Sequence, residues 1–167
     1  MKKLLSFFII LIFLSCEKNI VNKFPIIKEF NSTKSQYLKD TIELENISTE
    51  GGELIAYHNN SNNLIFDCFV YGETGKLNYT YFTDKKMKIK FVIKKDYNYD
   101  RPITDENIKI DSTIYYINFE NQSTIYDKKG IKIKNNLLRD SLISDVNNFM
   151  KETIKNNVNI RKYKHCS

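Results

Sequence analysis

Residues 50–102, EGGELIAYHNNSNNLIFDCFVYGETGKLNYTYFTDKKMKIKFVIKKDYNYDRP, alternate apolar or aromatic stretches with short polar turns. The Asn-rich turn at 59–63 tolerates left-handed backbone, and Gly72-Glu73-Thr74-Gly75 and Asp84-Lys85-Lys86 are further turn signals. Such a pattern predicts an up-and-down meander of strands. Alternate turns of a meander fall at the same end of the sheet. Glu50-Gly51-Gly52-Glu53, the Gly72–Gly75 turn and the segment from Tyr97 to Pro102 are therefore expected side by side.

The parity of each stretch refines this. Residues 54–58 read as one strand, and 64–71, apolar on both parities, as a central strand covered on both faces. Residues 76–83 place Leu77, Tyr79 and Tyr81 on one side, and 87–93 place Met87, Ile89, Phe91 and Ile93 together. Before the meander, Ile42 and Leu44 mark a strand within 41–47. After it, Tyr115, Ile117 and Phe119 share a face within 108–119, and 124–126 with 131–134 read as a last hairpin. Residues 24–30 hold an apolar cluster that suits a short helix opened by Pro25, with an extended reading almost as good.

A helix is expected from 136 to 156. Leu138, Leu142, Val146, Phe149, Met150 and Ile154 recur at three- and four-residue steps and form one stripe, with Asp140, Asp145 and Asn148 on the wet side. Asn135 or Asn136 is a ready cap. The fold class that follows is α+β: an antiparallel β-meander of about six or seven strands with one C-terminal amphipathic helix packed on a face. The folded domain is expected over 24–157, and 158–167 reads as a basic flexible tail.

The first residues read as an address. Lys2 and Lys3 precede an apolar run, 4–14, broken only by Ser6. The run is shorter than the ~20 residues that span a bilayer, and it has the layout of a secretory signal. Phe13-Leu14-Ser15-Cys16 resembles the lipobox of bacterial lipoproteins. The resemblance implies removal of 1–15, lipidation of Cys16 with a palmitate-class chain, and a membrane anchor joined to the domain by a tether at 16–23. It places the protein in the bacterial cell envelope, on the outer membrane, with periplasmic side or cell surface open.

Charge and cysteine content exclude several classes. The chain carries a net charge of +6, and Lys2 and Lys3 leave with the signal. The remainder is mildly basic without a concentrated basic face, so no nucleic-acid partner is expected. Cys68 and Cys166 allow one internal bridge, yet Cys68 in an apolar strand reads better as a buried free thiol. His58 and His165 have no partners at ligand spacing, so neither a metal site nor a cofactor is expected. Gly72-Glu73-Thr74-Gly75-Lys76 ends like a phosphate loop, but its glycines are too close, no Ser or Thr follows Lys76, and strands flank it. The lysines at 85, 86, 88, 90, 94 and 95 read as a guard against edge-to-edge sheet pairing.

The converging turns leave one candidate surface: Glu50, Glu53, Glu73, Lys76, Tyr97, Tyr99 and Arg101. Tyr and Arg are enriched where proteins bind partners. The acids are also expected to pair with Lys76 and Arg101 and so tie the turns together. The runs around Ser48–Glu53, Gly72–Lys76 and Tyr97–Ile103 are similar to a group of small uncharacterised Bacteroidetes lipoproteins, which implies an envelope location and no catalytic residue. The expected function is a lipid-anchored, non-enzymatic binding module for an envelope protein or glycan. Two alternatives stand beside it: a cell-wall glycan hydrolase using Glu50, Glu53 or Glu73, and an inhibitor of foreign lysozymes.

Overall fold

The computed structural model describes residues 22–59, 63–105, 107–159 and 163. The signal, Cys16, His165 and Cys166 lie outside the described residues. A short helix α1 (Pro25–Thr33) precedes strands β1 (Leu38–Leu44), β2 (Gly52–His58), β3 (Asn63–Gly72), β4 (Gly75–Asp84), β5 (Ile89–Tyr99), β6 (Ile110–Asn118) and β7 (Thr124–Asp127). Helix α2 (Asn136–Phe149) then runs on through a π-helical turn, Met150–Ile154, and a last turn, Lys155–Asn157. The seven strands form one antiparallel sheet in chain order. The expected meander is thus present, and the expected last hairpin is short: Tyr126 bridges Lys132, Ile133 N donates to Ile125 O at 2.9 Å and Asp127 N to Ile131 O at 3.0 Å.

One face of the sheet is covered by α2. Leu142, Val146, Met150 and Ile154 are buried against Leu54, Phe66, Cys68, Tyr79, Tyr81, Val92 and Ile117. Steps of four residues overshoot the 3.6-residue turn by about 40° each. The wider π-helical turn at Met150–Ile154 offsets that drift and keeps the stripe on the sheet. Asn135 caps the start by accepting from Leu138 N at 3.1 Å. Two tyrosine hydroxyls fix the helix: Tyr81 donates to Val146 O at 2.8 Å and Tyr79 to Asp145 Oδ2 at 3.1 Å. Asp145, expected on the wet side, instead borders the sheet and takes Lys94 Nζ at 2.7 Å. Leu138, expected in the stripe, is exposed. Val158 and Tyr163 are buried in this same core, so the domain reaches beyond 157 and the flexible tail expected from 158 is corrected there.

The other face carries α1, so the apolar cluster is helical from Pro25 onward, with Phe24 as its N-cap in extended backbone. Phe24, Ile27 and Phe30 pack on Tyr57, Ile65, Phe82, Phe91 and Ile93. Phe24 lies 4.7 Å from Phe91 and 5.4 Å from Tyr126, ring centre to ring centre. Lys23, placed in the tether, rests 3.9 Å over the Tyr126 ring. This second core explains why residues 64–71 are apolar on both parities: Phe66 and Cys68 face α2 while Ile65 faces α1.

One face assignment fails. Phe82 pairs with Phe91 but Thr83 pairs with Ile89, which leaves Lys90 as an extra residue. This bulge reverses the parity. Met87 and Ile89 therefore join the α2 core, while Phe91 and Ile93 join the α1 core. Lys90, Lys94 and Lys95 lie on β5, an interior strand rather than an edge, Lys85, Lys86 and Lys88 lie in the connection before it, and Lys90 Nζ donates to Asn63 Oδ1 at 2.8 Å.

The two helices differ in reach. The run Asn136–Asn157 is about 33 Å long, which matches a ten-residue strand at about 33 Å. Helix α1 spans only about 13 Å, so much of its face stays open.

Replacing Phe24 by Ala is expected to cost about 3–5 kcal/mol by urea titration, since it empties the centre of an aromatic cluster. Burial, helped by Asp67, pushes the Cys68 thiol from its ordinary 9.0 up to about 12. Stability held by the neutral thiol is complete below pH 9.0 and is lost as pH rises from there toward about 12. Burial raises Tyr79 and Tyr81 too, which adds in the same direction from 10.0 upward. The urea midpoint should therefore stay level near neutral pH and fall steadily once the pH exceeds 9.0.

Candidate functional site

The three odd-numbered connections meet at one end of the sheet. Tyr71 N donates to Gly51 O at 3.0 Å, and Ser48 Oγ lies 2.6 Å from Tyr71 O and 2.8 Å from Gly51 O, which joins the β1–β2 corner to β3. Tyr99 N donates to Thr74 O at 3.0 Å and Ile103 N to Glu73 O at 3.1 Å, which joins the β3–β4 turn to the segment after β5. Glycine is needed where these backbones approach. A Cβ at Gly52 would stand 2.6 Å from Phe69 O, and one at Gly75 would stand 2.6 Å from Tyr97 O.

The side chains sort by face. Tyr71, Lys76 and Tyr97 are direct cross-strand partners in one row. The Lys76 ammonium sits 5.0 Å from the centre of Phe69, 5.5 Å from Tyr97 and 5.9 Å from Tyr71. Such contacts are worth about 0.5–1 kcal/mol each at an exposed site. A cleft of about 350 Å³ opens beside them, lined by Tyr71, Gly72, Thr74, Lys76 and Tyr97 among others. Burial raises the Tyr97 and Tyr71 hydroxyls above their ordinary 10.0, with neighbouring Tyr99 adding at Tyr97 and Glu53 at Tyr71. Both stay protonated donors at neutral pH.

The acids gather at the neighbouring corner. Glu43, Glu45, Glu50 and Glu53 line a shallow cleft of about 500 Å³ together with Tyr71. Glu43 and Glu53 are directly opposite on β1 and β2, a like-charge pair that disfavours the sheet. Tyr71 OH donates to Glu53 Oε2 at 3.4 Å. Glu50 and Glu73 are exposed on their turns. The expected cross-turn ion pairs do not form. Arg101 reaches only its neighbour Asp100, at 3.5 Å, and no ion pair among the described residues joins Glu50, Glu53 or Glu73 to Lys76 or Arg101. Backbone hydrogen bonds and the Ser48 hydroxyl tie the turns instead.

The candidate residues thus share one end but split into a Lys76–Tyr97 surface and an acidic corner. Tyr99 is half-buried on the same strand face as Tyr97, and Arg101 is exposed in the connection after β5. Sequence reading missed Phe69 and Tyr71, which make the aromatic floor. Their parity with Asp67 on β3 is the signal that would have found them, once both faces of that strand had been assigned.

Among the described residues no group of His, Cys, Asp or Glu could hold a metal ion. No protein-family model matches the chain. Neither a curated protein nor a solved structure matches it.

Gly75→Ala is expected to cost about 1–3 kcal/mol, because the new methyl meets a ladder carbonyl that cannot swing away. The NMR amide resonances of Lys76, Tyr97 and Tyr99 should shift in that variant while those of α2 stay in place.

Proposed function

We propose that this protein is a non-enzymatic binding module held at the bacterial envelope by a lipid on Cys16, and that the Lys76–Tyr97 surface takes envelope glycans. The observation that carries the reading is Lys76: a half-buried ammonium seated over three rings, with no carboxylate partner among the described residues. Aromatic faces offer flat apolar contact to a sugar ring, and the ammonium and two tyrosine hydroxyls offer hydrogen bonds around it. Convergent polar groups on an aromatic floor suit recognition of a ligand that is half apolar and half hydroxylated.

Two further observations support binding over hydrolysis. Glycoside cleavage wants one carboxyl with a raised pKa in an enclosed place and a second about 5–9 Å away. Glu50 and Glu73 stand exposed on turns, and Glu53 faces Glu43 across an edge pair. The acidic corner is complementary in charge to a basic enzyme, which favours the lysozyme-inhibitor reading as the second choice.

The test uses the detergent-solubilised full-length protein with purified envelope polysaccharide and with peptidoglycan sacculi. Wild type should sediment with one of them. Lys76→Ala combined with Tyr97→Ala should lose about tenfold or more of that affinity while unfolding stays cooperative, its midpoint lowered only by the lost ring contacts. In cells, Cys16→Ala should abolish fatty-acid labelling and release the protein from the membrane fraction. Failure of wild type to retain either glycan, with inhibition of lysozyme by the same sample, would replace this reading by the second.

A further inference from the structure

The half of the α1 face that the short helix leaves open holds a cleft of about 300 Å³ between α1 and β3–β5. Asn31 and Lys34 line it from the helix end, and Asp67, Phe69, Lys95 and Tyr97 line it from the sheet. Its charge pattern is unusual for the middle of a sheet. Asp67 lies on an interior strand and is half-buried. Its Oδ1 accepts twice, from Asn78 Nδ2 at 2.8 Å and Thr80 Oγ1 at 2.9 Å. Asn78 is itself held by Cys68 O at 3.2 Å. These neutral donors orient the carboxylate without neutralising it, and Oδ2 accepts no hydrogen bond among the described residues. Placing a carboxylate there costs more than an apolar residue would. The packing of α1 makes no use of it.

The cations of the cleft are equally unpaired. Lys34 Nζ lies over the Phe30 and Tyr57 rings, 5.3 and 4.8 Å from their centres, and Lys95 forms no ion pair among the described residues. Two ammonium groups against one carboxylate give the cleft an excess of one positive charge. A ligand that satisfies it must bring an anionic acceptor for the lysines and a neutral donor for Asp67. It must also present a flat body to Phe69 and Tyr97. The volume suits one six-membered ring and sits at the small end of ligand sites.

We propose that the cleft binds a small hydroxylated carboxylic acid of sugar size, with its carboxylate on Lys95 and Lys34 and a hydroxyl donating to Asp67 Oδ2. The inference deepens the glycan-binding reading and rests on it for the ligand class. Phe69 and Tyr97 border Lys76 as well, so an acidic sugar in the cleft would continue onto that surface as part of a longer chain. Selectivity follows from the cost of leaving polar groups unpaired. A neutral sugar strands the lysines and acetate strands Asp67.

The experiment is calorimetric titration of the detergent-solubilised full-length protein with glucuronate, glucose and acetate. Glucuronate should bind saturably, with glucose and acetate about tenfold weaker or more. Lys95→Gln, which breaks no contact of the fold, should weaken glucuronate by about tenfold while leaving the thermal midpoint unchanged. Asp67→Asn should erase the preference for glucuronate over acetate. Should that variant fail to fold, Lys95→Gln decides alone. Absence of glucuronate binding by wild type, equal binding of glucose, or unchanged affinity in Lys95→Gln would overturn the proposal. Retention of envelope polysaccharide without glucuronate binding sinks the cleft and leaves the module; glucuronate binding without polysaccharide retention sinks the module and leaves the cleft.

Discussion

Strict pairing between chain neighbours is the constraint on which the rest depends. Every strand from β1 to β7 hydrogen-bonds only to the strands before and after it in sequence. Each connection must therefore return the chain to the opposite end. That geometry brings residues 45–51, 72–75, 100–105 and 107–109 to one end, although the three connections are far apart in sequence. Their charged side chains contribute little to holding them there, although the Ser48 hydroxyl donates to Tyr71 O at 2.6 Å. The hydrogen bonds between Tyr71 and Gly51, Tyr99 and Thr74, and Ile103 and Glu73 are all main-chain to main-chain. Lys76 and the acids are consequently spared cross-turn ion pairing: Lys76 stands over rings, Glu53 accepts from Tyr71, and Glu50 and Glu73 stand in solvent.

Coverage of the sheet is the second determinant. Strands β3 and β4, at the middle of the sheet, have ten residues each and present two faces of about 33 Å in the strand direction. Helix α2 and its extension match that length, so nearly everything beneath them is apolar, with tyrosine hydroxyls reaching the helix at the margin. Helix α1 is too short, and the composition of its face changes where it stops. Ile65, Phe82, Phe91 and Ile93 lie under it, whereas Asp67, Asn78, Lys95 and Lys76 lie beyond. The aromatic floor of Phe69, Tyr71 and Tyr97 begins at that boundary. The candidate surface and the charged cleft are two parts of one uncovered half-face.

Much of this was legible residue by residue. Leu77, Tyr79 and Tyr81 share a face as their spacing indicates, and so do Tyr115, Ile117 and Phe119. Asn135 caps α2. The reading failed where a local defect or a distant partner decides. Lys90 looks like any alternating polar residue, yet as a bulge it moves Met87 and Ile89 to the other core. Asp145 looks solvated on a helical wheel, yet Tyr79 and Lys94 reach up to it from strands far away in sequence. Arg101 and Lys76 look like partners for Glu50, Glu53 and Glu73, yet Arg101 reaches only the adjacent Asp100 and Lys76 pairs with no carboxylate among the described residues.

What the amino-acid order determined alone is the list of strands, their sequential pairing and the end of the sheet at which the three corners meet. Turn chemistry and side-chain parity are local properties, and each strand needs only its neighbour to be placed. What the tertiary structure decided is which residues on that end and on the open half-face can act on something else. That depends on where α1 stops, on the parity break at Lys90, and on which charges find partners across the fold. Those are distances between sequence-remote groups, and no local pattern encodes them.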